Sequence, residues 1–276
     1  MLQYLVILLD DTSVSYCHYD NRKSEHRLIS LENLKEGILF AMKENLMLQF
    51  VYPHYELPQA YKDEIETIDH SKIVPVEYRD EADVVVLDDW EQLSVSGCDI
   101  QKTYVLRTGK TGFFKNYTIL NEVLDKVLRL NVVLVDIDTF TESDFDIYKS
   151  VLDELALKLK GMYLEGMAPQ LNLLTDRMML DKMNNCNAGV ENITLAPDGK
   201  FYICPAFYLA DDGYSIGSLV EVLDIKNPKL YKLSYAPLCR NCDAYQCKRC
   251  IWMNWKTTLE VNTPSHEQCV VAVSYT

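Results

Sequence analysis

Residues 239–255 read CRNCDAYQCKRCIWMNW, and this stretch decides what the chain can be. Two C-x2-C pairs, Cys239/Cys242 and Cys247/Cys250, stand only four residues apart. In such a loop two thiolates can face one metal centre while backbone amides face the sulfurs. Lys248 and Arg249, inside the second pair, can offset thiolate charge. Trp252 and Trp255 just beyond can shield a centre from water, and dry surroundings tune its potential.

Working outward, Cys186 and Cys204 precede the stretch and Cys269 follows it. Seven of the nine cysteines therefore fall within 84 residues, and only Cys17 and Cys98 lie earlier. Between Cys186 and Cys204, Ile193–Leu195 and Phe201–Ile203 flank Pro197-Asp198-Gly199, the pattern of a hairpin closed by a turn. Such a hairpin is expected to bring Cys186 and Cys204 towards each other. In a chain without a secretion signal, clustered cysteines point to metal ligands more than to disulfides. Two zinc sites would need eight ligands, with His266 available as the eighth. The four-residue spacer is far shorter than the ~15–20 residues of a common zinc ribbon. It suits a module in which neighbouring cysteines serve different clusters, so iron–sulfur is favoured and zinc kept as the alternative.

The rest of the chain reads as alternating strands and helices. Tyr4–Leu9 is a buried strand. Ser30 caps a helix over Leu31–Leu46 with Leu34, Ile38, Ala41 and Met42 on one face. Met47–Tyr52, Ile73–Val76, Val84–Leu87, Thr103–Leu106, Val132–Val135 and Leu171–Leu174 are further strands. A helix over about Ser143–Lys160 presents Ile147, Val151, Leu152, Leu155 and Leu159 at helical spacing. This alternation predicts an α/β fold, a parallel sheet or partial (β/α) barrel over residues 1–180, followed by a small cysteine-rich domain over 181–276. Acidic residues stand at the expected strand ends: Asp10, Asp11, Asp88, Asp89, Asp136, Asp138 and Asp176. They serve either as turn and cap residues or as an acidic mouth facing a cation or basic peptide.

The 276 residues carry a formal net charge of -14 and 48% hydrophobic side chains. Such an acidic surface disfavours nucleic acid. No run reaches the ~18–20 apolar residues of a membrane span, and no signal peptide is visible, so a cytoplasmic protein is expected. His18, His26, His54 and His70 are scattered without paired spacing. Thr108–Gly112 lacks the spacing of a phosphate loop and reads as a turn.

The order C-x12-G-x4-C, C-x2-C-x4-C-x2-C and a closing C resembles the SPASM domain of radical SAM peptide-modifying enzymes. It runs through Cys186, Gly199 and Cys204, then Cys239, Cys242, Cys247 and Cys250, then Cys269. The surrounding Cys204-Pro205, Ile216-Gly217 and Gln268-Cys269 fit, while the central spacers are each one residue shorter than usual. The resemblance implies two [4Fe–4S] clusters. Cys239, Cys242, Cys247 and Cys269 would hold one; Cys186, Cys204 and Cys250 would hold the other. No cysteine occupies Met178–Lys182, where an eighth is often found, so the second cluster would have an open iron or an unusual ligand such as Asp181.

The N-terminal part is similar to a radical SAM partial barrel but departs at its centre. Where that family has C-x3-C-x2-C, this chain has Asp10, Val14 and Cys17. Val51–Glu56 stands where the glycine-rich motif is expected. One thiolate cannot hold the cluster that chelates SAM, so conventional SAM cleavage is not expected, and Cys17 reads as a buried relic. The whole resembles the CXXX-repeat peptide maturases. That implies maturation of a ribosomally synthesised cysteine-repeat peptide, with a second modification protein as a further partner. The alternatives are a non-catalytic precursor-peptide scaffold and an electron-transfer partner of another enzyme.

Overall fold

The structure is a computed structural model that describes residues 2–93, 97–210 and 213–274. Its strands are β1 Tyr4–Leu8, β2 Met47–Val51, β3 His70–Pro75, β4 Val84–Leu87, β5 Thr103–Thr108, β6 Arg129–Leu134, β7 Asn192–Leu195 and β8 Phe201–Tyr202. Its α-helices are α1 Leu31–Glu44, α2 Gln59–Ile65, α3 Lys110–Asn116, α4 Leu120–Val123, α5 Glu142–Leu164, α6 Thr175–Met179, α7 Pro205–Leu209, α8 Ile251–Thr258 and α9 His266–Val273. The chain divides into two compact units. The first comprises Met1–Ser15, Tyr19–Val84 and Asn187–Ala236, and the second Tyr16–His18, Val85–Cys186 and Pro237–Thr276.

In the first unit the strand order is β3-β2-β1-β7-β8. β1 pairs in parallel with both β2 and β7, and β2 with β3. β1 is apolar along its length because it is central: Leu5, Ile7 and Leu8 are fully buried. A strand buried on both faces needs a continuous apolar run, not alternation. The expected hairpin is present, with β7 and β8 antiparallel through Leu195 and Phe201. Gly199 closes it at φ +77, a left-handed conformation that favours glycine. Ser30 caps α1 through its hydroxyl, which accepts from the Asn33 N–H at 3.1 Å. Leu34, Gly37, Ile38 and Ala41 form the buried face of α1. Met42 is exposed instead of sharing that face. It lies 100° round the helix from Ala41, which takes the core position.

In the second unit β6, β5 and β4 are neighbours, and β5 pairs β6 in parallel from Thr103/Arg129 to Thr108/Leu134. α5 begins with a capping box, Thr141 with Asp144, and runs longer than its pattern suggests. Its buried stripe is Phe145, Tyr148, Leu152, Leu155, Leu159 and Met162, with Val151 beside it. Ile147 is exposed, because Tyr148 fills the core position one residue on. Leu171–Leu174 is not a strand. Leu171 makes a single bridge to Leu130, then the chain turns into α6 as the Thr175 hydroxyl donates to the Leu171 carbonyl at 2.9 Å. Among the described residues no helix is long and apolar enough to cross a membrane.

Candidate functional site: the cysteine loops

The second unit holds Cys17, Cys98, Cys186, Cys239, Cys242, Cys247, Cys250 and Cys269; Cys204 lies in the first. All nine cysteines are free thiols. Each C-x2-C segment begins from a tight turn: the Cys242 N–H donates to the Cys239 carbonyl at 3.1 Å, and the Cys247 N–H to the Ala244 carbonyl at 3.0 Å. Cys250 is the N-cap of α8, and its carbonyl receives the Asn254 N–H. Trp252 and Met253 on the first turn of α8 are buried. Cys269 sits on α9, whose start is fixed by the Ser265/Gln268 capping box. Gln246 ties the loop to that helix by donating from Nε2 to the Ala272 carbonyl at 2.7 Å.

The thiols of Cys239, Cys242, Cys247 and Cys269 lie within one another's electrostatic reach. Burial pushes the Cys247 thiol up to about 11, opposed by the Arg249 N–H that faces its sulfur at 3.4 Å. Arg249 is only 2% exposed. Its guanidinium lies in the field of Cys186, Cys239, Cys247 and Cys250, and Nε donates to Asn185 at 2.8 Å. A buried cation needs anionic partners to offset its desolvation, and these cysteines would supply them as thiolates. Arg249 takes φ +43 to reach this position.

Asn184–Cys186 runs alongside this loop. The Asn184 N–H donates to the Tyr245 carbonyl at 2.7 Å and the Cys186 N–H to the Lys248 carbonyl at 2.9 Å. The Cys186 sulfur faces the Arg249 carbonyl at 3.9 Å. Cys204 is the N-cap of α7 in the first unit, ahead of Pro205. His266 is exposed and packs edge-on against Phe145. Among the described residues no three His, Cys, Asp or Glu side chains converge closely enough to hold one metal ion. The donor chemistry, several thiols within the electrostatic reach of a buried cation, is of the kind that an anionic iron–sulfur cluster takes, whose irons each bind one thiolate at separate corners.

The loop after β1 is built differently. Asp10 is fully buried. Its carboxylate accepts from the Thr12 N–H at 2.8 Å, the Thr12 hydroxyl at 2.6 Å and the Tyr55 hydroxyl at 2.8 Å. Val14 is 2% exposed, in the core. Asp11 is buried and accepts from the Tyr208 hydroxyl; burial raises its carboxyl above the ordinary value. Asp11, Arg22, Arg27, Asp198, Tyr202 and Tyr208 line a cavity of about 320 Å³ carrying charges of both signs.

The remaining acids at the strand ends are also occupied locally. Asp88 pairs with Arg107 at 2.7 Å, and Asp89 caps the short 3-10 turn at Trp90. Asp136 accepts from the Lys110 N–H at the start of α3, at 2.8 and 3.1 Å. That carboxylate takes the place a phosphate would want at a helix start, so Thr108–Gly112 is a turn into a helix, as its spacing suggests. Asp138 pairs with Lys256 at 3.1 Å, and both Asp176 oxygens accept from Arg129 Nη2 at 2.6 Å. These partners give Asp88, Asp89, Asp136, Asp138 and Asp176 the cap and ion-pair roles of the first alternative.

No protein-family model matches the sequence, and no curated protein matches it. Solved structures do match. Native anSMEcpe with bound AdoMet and the Cp18Cys peptide aligns with TM-score 0.62 at 12% identity, over 99% of this chain and 96% of that one. Hexahistidine-tagged anSMEcpe with bound AdoMet gives 0.66 at 12% identity, over 99% and 95%. Streptococcus suis SuiB bound to precursor peptide SuiA gives 0.52 at 12% identity, over 97% and 76%. The chain therefore has the fold shared by anSMEcpe and SuiB. Within that fold, this chain has seven of its nine cysteines between residues 186 and 269. At the β1 loop, positions 10, 14 and 17 are Asp10, Val14 and Cys17.

Proposed function

We propose that this protein takes part in maturing a ribosomally synthesised cysteine-repeat peptide, as an iron–sulfur protein that does not cleave SAM by the conventional route. The observation that carries the reading is the contrast between two loops of one fold. The C-terminal loops hold thiols within the electrostatic reach of buried Arg249. The β1 loop buries Asp10 in three hydrogen bonds and Val14 in the core. The solved structures of this fold include peptide complexes, anSMEcpe with Cp18Cys and SuiB with SuiA. These support a peptide partner.

In this reading Cys239, Cys242, Cys247 and Cys269 hold one [4Fe–4S] cluster, and Cys186 and Cys250 belong to a second. Cys204 is kept as a ligand on the resemblance alone. Residues 1–180 and 181–276 are then the barrel-type and SPASM-type segments. Bound clusters would supply Lewis acidity, electron relay or a docking point for a substrate thiolate. Arg249 would balance their charge and Trp252 would keep out water.

The test is titration of the anaerobically reconstituted protein with an isolated precursor peptide carrying cysteine repeats. A peptide-dependent change in the cluster absorption or EPR spectrum is expected. No spectral change together with no measurable binding would overturn the reading. Binding without spectral change, with turnover by a partner enzyme insensitive to loss of Cys186 or Cys204, would favour the scaffold alternative, in which the β1 loop and the clusters are structural.

A further inference from the structure

In the first unit, residues 21–27 fold back over the end of β1 and are fastened there. Asn21 Nδ2 donates to the Asp11 and Ser13 carbonyls, and Asn21 Oδ1 accepts from the Lys23 N–H at 2.9 Å. The Arg22 N–H donates to the Leu209 carbonyl on α7 at 2.8 Å, and the Asp11 N–H to the Arg27 carbonyl at 3.1 Å. Held at both ends, this loop lines the cavity of about 320 Å³ together with Asp11, Asp198, Tyr202 and Tyr208. A lining fixed in this way loses little freedom when a ligand arrives.

The aromatic part of the lining is also fixed. Tyr202 and Tyr208 are buried, and their ring centres stand 5.1 Å apart. The Tyr202 hydroxyl donates to Asp198 at 2.9 Å, and the Tyr208 hydroxyl donates to Asp11 Oδ1. Lys23 Nζ lies 4.6 Å from the centre of the Tyr208 ring, so this part of the lining already holds an ammonium.

Two opposite charges share the cavity without pairing. Asp11 is 3% exposed, and its Oδ2 accepts no hydrogen bond among the described residues. The Arg27 guanidinium makes no hydrogen bond or ion pair among the described residues, although the Arg27 carbonyl is bonded to the Asp11 N–H. The two charges still feel each other, since Arg27 and Lys23 oppose the rise that burial imposes on the Asp11 carboxyl. A buried carboxylate oxygen without a donor is costly. A ligand that satisfies both groups must bring N–H donors at one end and an anionic acceptor at the other. A guanidinium matches a carboxylate in geometry as well as charge. The cavity is near the lower end of small-ligand pockets, roughly 300 Å³, so the ligand is small.

We propose that this cavity binds a small zwitterion of the amino-acid class, with its ammonium on Asp11 and its carboxylate on Arg27. A free α-amino acid and a dipeptide share this chemistry. No cysteine lines the cavity, so the proposal and the iron–sulfur reading stand or fall separately.

The test is isothermal titration of the full chain, as wild type and Arg27→Gln. The probes are the common α-amino acids one at a time, glycylglycine, acetate, methylammonium and inorganic phosphate. At least one zwitterion is expected to bind with Kd below about 1 mM, and acetate and methylammonium at least about ten-fold more weakly. Arg27 is exposed, so Arg27→Gln should keep the wild-type melting temperature while losing about ten-fold in affinity for the zwitterion. Tighter binding of glycylglycine than of any amino acid would support the proposal with a dipeptide as the ligand. No binding by any amino acid or by glycylglycine at about 10 mM would overturn it. Acetate or phosphate binding as tightly as the zwitterions would overturn it too, because the site would then recognise only an anion. So would an unchanged zwitterion affinity in Arg27→Gln.

Discussion

Replacing Asp176 by asparagine strips the charge from a well-buried ion pair in the second unit. The Asp176 side chain is 3% exposed and that of Arg129 is 22% exposed. Arg129 Nη2 donates to both carboxylate oxygens at 2.6 Å, and Asn184 adds a bond at 3.2 Å. The other Arg129 donors go to Asn131 and Gln170, which are neutral. Asp176→Asn therefore leaves a mostly buried guanidinium with no anion bonded to it. Breaking a buried pair from one side costs about 3–5 kcal/mol. The partial exposure of Arg129 and its neutral acceptors put the value near the lower end, about 3 kcal/mol. With a urea dependence of roughly 3 kcal/mol per molar for a unit of this size, the midpoint should fall by about 1 M. The assay is equilibrium urea unfolding, wild type against variant, at equal iron loading and followed by tryptophan fluorescence. Removing both partners, as Arg129→Met with Asp176→Leu, should recover at least half of the loss. A midpoint shift under about 0.3 M for Asp176→Asn, or a double variant as unstable as the single one, would refute the assignment of this pair as a buried, mutually dependent unit.

Three further outcomes follow from particular contacts. A Cβ at Gly37 would stand 2.5 Å from the Leu195 side chain, so Gly37→Ala should destabilise the first unit by about 1–3 kcal/mol despite its better helix propensity, as read from thermal unfolding. The Asp144 carboxyl is held down to about 2, chiefly by Lys110 and then by Thr141. Its folded value lies below its unfolded one, so its stabilisation is full above 3.8 and lost as pH falls through about 2. The gap in melting temperature between wild type and Asp144→Ala should therefore be constant near neutrality and close on acidification. Arg249→Gln should leave the cysteines in place but make at least one cluster harder to reduce. The midpoint potential should move negative by on the order of 100 mV, the effect of removing a nearby unit charge at an effective dielectric of about 20, as measured by EPR-monitored redox titration.

What could be read from the sequence was whatever local pattern controls. β1, β2, β4 and the β7–β8 hairpin stand where apolar runs and the Pro197-Asp198-Gly199 turn put them, and Ser30 caps α1 as its hydroxyl suggests. Faces of helices were legible to within one residue. Met42 and Ile147 lose core positions to Ala41 and Tyr148, because helical spacing alone does not say where a stripe is centred. β3 begins at His70, earlier than its apolar stretch, because backbone pairing with β2 extends over polar His70–Lys72. Leu171–Leu174 has the composition of a strand, but Thr175 hydrogen-bonds back and starts a helix. The strand-end acids could not be assigned from sequence, since a cap, an ion pair and a ligand site use the same carboxylates. Their partners, Tyr55, Tyr208, Arg129 and Lys256, are distant along the chain.

The account depends most on what the C-terminal thiols bind. The direct measurement is iron, acid-labile sulfide and zinc in protein purified without oxygen, with absorption and EPR spectra of the same sample. About eight iron and eight sulfide per chain, with a reducible cluster signal, is the predicted result for two [4Fe–4S] centres. Zinc without sulfide, persisting after an attempt at iron–sulfur reconstitution, would contradict it and make the cysteine loops a zinc module.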